Sequence, residues 1–319
     1  IGGLRAFAAM KHVGMNVAGD PIFSAAYTGV NGGMVVVSCD DPGCHSSQNE
    51  QDNRWYAPHA RLAMLEPSDS QECKDFMKEA FQISEDFDLL TLLRLTTRVC
   101  HSKSLVEQNE RIMPPAKSYQ SDFAKYTMLP VNARRRHVIV EENLNRLREY
   151  SYTSPLNRTE LNGSDIGVIT SGISYMHARE AFGDRVSYLK LGITYPISEK
   201  LVREFAAKVK TLWIVEEGDG YLETAVRGMG LECIGKEKLS CQGELDAERV
   251  RVAFGMGKTE EAYTAPLQAP ARPPVLCAGC PHRGFYYALS SHRDKLVTVG
   301  DIGCYSLGAS APFFGFDIG

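Results

Sequence analysis

The chain is 319 residues long and carries 35 Lys plus Arg against 39 Asp plus Glu, a formal net charge of −4. That balance excludes a nucleic-acid binder built on a broad basic field, and 44% hydrophobic with 23% charged residues excludes a low-complexity disordered chain. No apolar stretch reaches the roughly 18 to 20 residues of a membrane span, and at about 150 residues per domain the length suggests two or three domains.

The first 107 residues alternate strand and helix. Met34-Val35-Val36-Val37-Ser38-Cys39 is a continuous apolar run after Gly32-Gly33, as suits a strand buried on both faces. It stops at the turn signal Asp40-Asp41-Pro42-Gly43. Lys11–Asn16 reads as a polar surface turn. A helix begins near Ser68, where Ser68 and Gln71 have capping-box spacing, and Cys73, Phe76, Met77, Ala80 and Phe81 follow at helical intervals. Leu89–Leu95 is the next apolar strand candidate. Residues 108–155 lose this rhythm and read as a connector. In it lie Pro114-Pro115, the basic run Arg134-Arg135-Arg136, read as a solvated face, and a polar helix near Glu141–Tyr150.

Residues 156–255 resume the alternation. Strands are predicted at Ile166–Thr170, Val186–Leu191 and Leu212–Val215, and helices at Ser174–Phe182, Ser198–Val209 and Tyr221–Arg227. Repeated units of this length imply parallel sheets with helices on both faces, an α/β fold. A linker at 256–272 leads into a third unit, 273–319. Its helix is predicted at Pro281–Leu289 and its strand at Leu296–Val299; alone it is too short to be a stable domain. The opening Ile1 without Met and the close on Phe313–Gly319 read as cuts through a longer sequence.

Three constellations carry chemistry. Cys277-Ala278-Gly279-Cys280-Pro281-His282 sets two sulfurs about a tight turn, with Cys304 further on. Three thiolates suit an iron–sulfur cluster, a Cys3His set with His282 suits zinc, and a turn of thiols that binds nothing is the plain alternative. The other Cys residues show no paired spacing, and an odd total of nine fits free thiols in a reducing cytoplasm. Gly300-Asp301-Ile302-Gly303 follows a strand candidate, where glycines let backbone approach phosphate oxygens, or simply turn. His45 to Arg54 is an unbroken run of hydrogen-bonding side chains at the carboxyl end of the 34–39 strand. It is either an exposed polar loop or a recognition loop for a polar organic anion, with His45 or Arg54 pairing a carboxylate.

Together these motifs resemble the large subunit of the indolepyruvate:ferredoxin oxidoreductases, a family within the thiamine-diphosphate 2-oxoacid:ferredoxin oxidoreductases. The matching stretches are MKHVGMNVAGDP (10–21), AYTGVNGGMVVVSCDDPGCHSSQNEQDNRWYA (26–57), CAGCPHRGFYYAL (277–289) and VGDIGCYSLG (299–308). The resemblance implies a multi-domain thiamine-diphosphate-binding fold. Residues 1–107 would be the later part of the pyrimidine-binding domain, 156–255 a transketolase-C-like domain, and 273–319 the start of the diphosphate-binding domain. The activating glutamate would lie before Ile1, and the Mg²⁺ motif and Cys-rich tail after Gly319, so this portion alone would be inactive.

The same resemblance implies oxidative decarboxylation of aryl pyruvates, with thiamine diphosphate and Mg²⁺, [4Fe-4S] clusters, coenzyme A as co-substrate and ferredoxin as acceptor. It implies a smaller beta subunit as partner in a cytoplasmic hetero-oligomer, and a place in aromatic amino acid catabolism. His45, Gln48, Asn49 and Arg54 would be substrate-side. Gly300, Asp301, Ile302 and Gly303 would border the cofactor, and Cys277, Cys280 and Cys304 would match three ligands of a cluster. Two alternatives stay open: a non-oxidative thiamine-dependent decarboxylase, and a catalytically silent scaffold of the same fold.

Overall fold

The computed structural model describes residues 2–257, 266–267, 269–270, 272–309 and 315–317. The chain divides into two compact units, Ile1–Glu260 and Glu261–Gly319. The expected linker at 256–272 and the apolar close at Phe313–Gly319 fall largely outside the described residues.

The first unit opens with β1 (Ala6–Lys11), α1 (His12–Val17), α2 (Gly19–Thr28) and β2 (Met34–Asp40). The 11–16 stretch is therefore a strand end and a short helix rather than a surface turn. His12 is fully buried with neither ring nitrogen hydrogen-bonded among the described residues. Next come α3 (Tyr56–Ala60), β3 (Ala63–Leu65), α4 (Ser70–Phe87), β4 (Thr91–Thr96) and α5 (Thr97–His101). Asp69, not Ser68, caps α4: its carboxylate accepts from Glu72 N at 2.8 Å. Ser68 and Gln71 are displaced from that role because Glu72 turns back to accept from Ser68 N and Oγ. Replacing Asp69 with Ala is expected to lower the urea stability by about 1 kcal/mol, the usual worth of an N-cap.

The connector region contains α6 (Phe123–Tyr126) and a long helix, α7 (Pro130–Thr153). Pro130 sits at its first position, where a missing N–H is harmless. Arg134 and Arg135 are exposed as expected. Arg136 is not: it is buried, and its guanidinium donates to Tyr27 O at 2.7 Å and Asp88 Oδ2 at 2.8 Å. Asp88 stands at the left-handed end of α4, φ +50°, and also accepts from Val30 N. A basic run on one helix thus splits between solvent and a buried ion pair.

The chain then forms β5 (Arg158–Glu160), β6 (Ile166–Ser171), α8 (Gly172–Phe182), β7 (Ser187–Leu191), β8 (Ile193–Tyr195), α9 (Glu199–Ala206), β9 (Thr211–Val215), α10 (Tyr221–Gly228) and α11 (Ala247–Ala253). One sheet has the order β1-β2-β4-β3-β8, parallel except for β8; the other has β5-β7-β6-β9, parallel except for β5. The crossing between sheets is Gly192, the single residue between β7 and β8. A Cβ there would run into the Leu156 carbonyl, so only glycine fits.

Apolar side chains from both sheets and their flanking helices share one core, including Met15, Val36, Leu92, Ile169, Leu189 and Phe205. A second core lies under α4 and α7, and a third under α8 and α11. No helix among the described residues is long and apolar enough to cross a membrane.

The second unit holds α12 (Pro281–Ser290) followed by single turns at Arg293–Lys295 and Cys304–Ala309. The predicted strand at Leu296–Val299 does not form. Leu296, Val297 and Val299 are exposed, with no named strand beside them among the described residues of this unit. Among these residues only Val299 carries a bridge, and Thr298 O accepts from Asp317 N at 3.0 Å, which is too little pairing to make a ladder.

Candidate functional site

Residues 41–54 leave the carboxyl end of β2, the end at which parallel sheets present ligands. The loop is pinned at its base. Asp41 Oδ2 accepts from Ser46 N at 3.0 Å and Ser47 Oγ at 2.5 Å, and Oδ1 accepts from Thr97 Oγ1 at 2.8 Å. Burial would raise the Asp41 carboxyl, but these donors hold it well below the usual carboxylate range. Glu50 Oε1 accepts from Gly43 N and Gly243 N, tying the loop to the segment before α11. His45 Nε2 lies 3.1 Å from Glu244 Oε2. Asn49 Oδ1 accepts from Gln51 Nε2 at 2.7 Å, and the Gln48 side chain is exposed. His45, Gln48 and Asn49 are all exposed on one braced loop.

Arg54 is placed differently. Its side chain is 1% exposed. It pairs with Asp52, and donates to Glu216 Oε2 at 2.6 Å, Glu217 O at 2.7 Å and Asp219 O at 2.9 Å. The guanidinium joins the loop to the carboxyl end of β9 and has no face toward solvent. Asp52 is correspondingly shifted. Its burial works against ionisation, but Arg54 beside it wins and holds it at about 2.

A second buried arginine continues the seam. Arg94 on β4 donates to Asp40 Oδ2 at 2.9 Å and Glu66 Oε1 at 2.8 Å, and Glu66 Oε2 accepts from Ser171 Oγ on β6. The carboxyls of Asp40, Asp52, Glu66, Glu216 and Glu217 are thus gathered about Arg54 and Arg94, with the Lys236 ammonium at the edge on Glu216 O. Carboxyls outnumber cations, so the seam cannot be fully ionised without leaving buried charge unpaired. Burial pushes Asp40 and Glu217 up. Glu217 Oε2 has no hydrogen-bond partner among the described residues, while Oε1 accepts from Leu245 N at 2.9 Å.

The sign of the resulting pH dependence follows by linkage. A carboxyl raised on folding contributes stability at low pH that is lost as pH rises through its folded value. Asp52, held at about 2, contributes stability at neutral pH that is lost as pH falls toward 2. Urea midpoints are therefore expected to decline as pH rises above the ordinary carboxyl range. Glu217→Gln, which keeps the shape and removes the ionisation, is expected to flatten that decline; an unchanged slope would remove Glu217 as its source.

Sequence reasoning singled out the loop but missed its supports. The available signal was Arg94, a charge inside the apolar run Leu92-Leu93-Arg94-Leu95. A cation in a buried strand requires buried carboxylates opposite it. Glu216-Glu217 at the end of β9 is the matching mark.

In the second unit, Cys280 N donates to Cys277 O at 3.2 Å, and Gly279 takes φ +74° to close the turn. Cys280 Sγ lies 3.3 Å from His282 Nδ1. Cys304 begins its own turn, and no group of three or more His, Cys, Asp or Glu among the described residues is arranged to hold a metal ion. The donor set expected for a cluster, Cys277, Cys280 and Cys304, is therefore not assembled, and neither is the Cys3His zinc alternative. Gly300, Asp301, Ile302 and Gly303 are solvent-exposed. Asp301 Oδ1 accepts from Ile302 N at 2.7 Å, which leaves exposed backbone and a carboxylate oxygen open to a hard cation or phosphate.

Sequence relatives match over the whole of this chain. The indolepyruvate oxidoreductase subunit IorA of Archaeoglobus fulgidus is 39% identical over 342 aligned positions, covering 100% of this chain. That of Methanothermobacter thermautotrophicus is 41% identical and covers 99%. The chain is a homologue of the IorA subunits of indolepyruvate oxidoreductase. It spans 55% of each of those two relatives, about half their length. The IorA resemblance seen in the motifs thus extends from one end of the chain to the other. No protein-family model matches the chain.

Among solved structures, 2-oxoglutarate:ferredoxin oxidoreductase from Magnetococcus marinus superposes with a TM-score of 0.60 at 14% identity, covering 78% of this chain and 52% of that one. At that identity the likeness is one of fold: parallel sheets flanked by helices, as the sequence implied.

Proposed function

We propose that this chain supplies the substrate-side loop and part of the cofactor framework of an oxidoreductase that decarboxylates aryl pyruvates, indolepyruvate first among them. The oxo acid loses CO₂, its acyl group passes to the sulfur of coenzyme A with release of one proton, and two electrons go singly to two ferredoxins. Thiamine diphosphate, held with Mg²⁺, supplies the electron sink for the lost carboxylate when bound.

The observation that carries this reading is the braced 41–54 loop at the carboxyl end of a parallel sheet. His45, Gln48 and Asn49 are the exposed members, and they bind and orient the polar end of the substrate. Arg54 acts as a positioning residue, fixing the loop through Asp52 and Glu216 rather than touching the ligand. Gly300, Asp301, Ile302 and Gly303 offer backbone groups and one carboxylate to the diphosphate and its cation. No electron step is routed through Cys277, Cys280 and Cys304, whose sulfurs are not gathered. The cytoplasmic enzyme is completed by a smaller beta subunit. The test uses the native full-length protein with its partner subunit. Reduction of ferredoxin by indolepyruvate is expected to require both thiamine diphosphate and coenzyme A; turnover that survives removal of thiamine diphosphate would overturn the reading.

A further inference from the structure

A cavity of about 710 Å³ opens beside the loop, in the first unit. Its size is that of small-molecule sites, roughly 300 to 1,000 Å³. Phe23 of α2, Trp55, and Tyr56 and His59 of α3 form its walls. These rings are fixed from behind. His59 meets Phe23 edge-on with centroids 4.8 Å apart. Trp55 packs edge-on against Tyr221 at 5.2 Å and its Nε1–H donates to Asp219 Oδ2 at 2.9 Å, yet 40% of the residue stays exposed.

The polar groups around the cavity are almost all occupied. Asp52 is its one acidic lining group, and Arg54 neutralises it. Tyr56 donates its hydroxyl to Asn16 Oδ1 at 2.7 Å. Among the described residues that line it, the exposed His59 imidazole is the polar ring without a hydrogen-bond partner. Aromatic walls, one unengaged imidazole and no free guanidinium or ammonium make a poor site for a carboxylate. They make a good one for a flat neutral ring whose edge carries a single donor.

We propose that this cavity binds a neutral planar aromatic ring bearing a ring N–H or phenolic O–H, with Phe23 and Trp55 as its walls and His59 as the hydrogen-bond acceptor. That this ring is the side chain of the 2-oxo acid rests on the proposed function; recognition of the ring itself does not.

The test needs neither cofactor nor turnover. Binding to the whole chain is followed by saturation-transfer NMR and calorimetry with indole, 1-methylindole and pyruvate as probes. Indole is expected to bind, 1-methylindole more weakly because it lacks the N–H, and pyruvate not at all. His59→Leu keeps the wall and should abolish the difference between the two indoles. Gly19 also lines the cavity, and a Cβ there meets nothing within 4 Å. Gly19→Leu should therefore fill the space, weaken indole at least tenfold, and leave the melting temperature unchanged. Indole binding unaffected by Gly19→Leu, or absent from the parent chain, overturns the proposal. So does a sedimentation result in which the parent is a dimer that Gly19→Leu splits, which would make a second copy the occupant. If indole binds as expected and turnover proves independent of thiamine diphosphate, the ring site stands and the proposed function falls; the converse pair of results separates them the other way.

Discussion

Replacing Arg54 with Ala is expected to cost the fold about 3–5 kcal/mol, the usual penalty for breaking a buried ion pair by removing one partner. The side chain is 1% exposed and joins Asp52 and Glu216 with the carbonyls of Glu217 and Asp219. Its loss leaves two buried carboxylates without their cation and two carbonyls without a donor. Arg54→Lys should recover little, because one ammonium cannot span acceptors arranged for a planar fork. Urea titration at pH 7 checks this directly. Since Asp219 also holds Trp55, the same variant should increase Trp55 exposure, read as a red shift in fluorescence.

Glu72→Gln is expected to have an effect of similar size for a different reason. Lys190 on β7 has a fully buried side chain whose ammonium pairs with Glu72 and lies 4.7 Å from the Phe76 ring centroid. Burial pulls the Lys190 ammonium below its ordinary value, although Glu72 opposes this. Removing the carboxylate charge leaves an ammonium in the core with no anion, a loss of about 3–5 kcal/mol. Lys190→Met removes the charge that must be compensated and keeps the volume, and should cost far less, or nothing. If both variants lose the same stability, packing rather than charge governs this site.

Much of the fold could be read along the chain. Met34–Cys39, Ile166–Thr170 and Leu212–Val215 became strands because each is an apolar run closed by a turn, and such runs carry their own evidence. Arg136 and Arg54 could not be read in the same way. Their partners are Asp88 and Glu216, and the last lies 162 residues from Arg54. A charge looks alike whether it faces water or a distant carboxylate, and only folding decides which. Leu296–Val299 failed for the opposite reason: its local pattern suits a strand, but a strand needs a continuous ladder, and here the pairing is confined to Val299 and Thr298. The 45–54 loop was legible as a polar run after a buried strand, while its division into three outward side chains and one inward clamp was not. The aromatic walls of the neighbouring cavity come from α2 and α3, separated in sequence by β2 and the loop, so no local pattern announces them.

The most direct measurement is the steady-state kinetics of the native full-length enzyme, with its partner subunit, carrying His45→Ala, Gln48→Ala and Asn49→Ala together. All three side chains are exposed, so the fold should be undisturbed. If the loop holds the polar end of the substrate, kcat/KM for indolepyruvate should fall about tenfold or more, as expected for losing one or more hydrogen bonds to a charged group. A triple variant with unchanged kcat/KM and unchanged melting temperature would contradict the placement of the substrate on this loop.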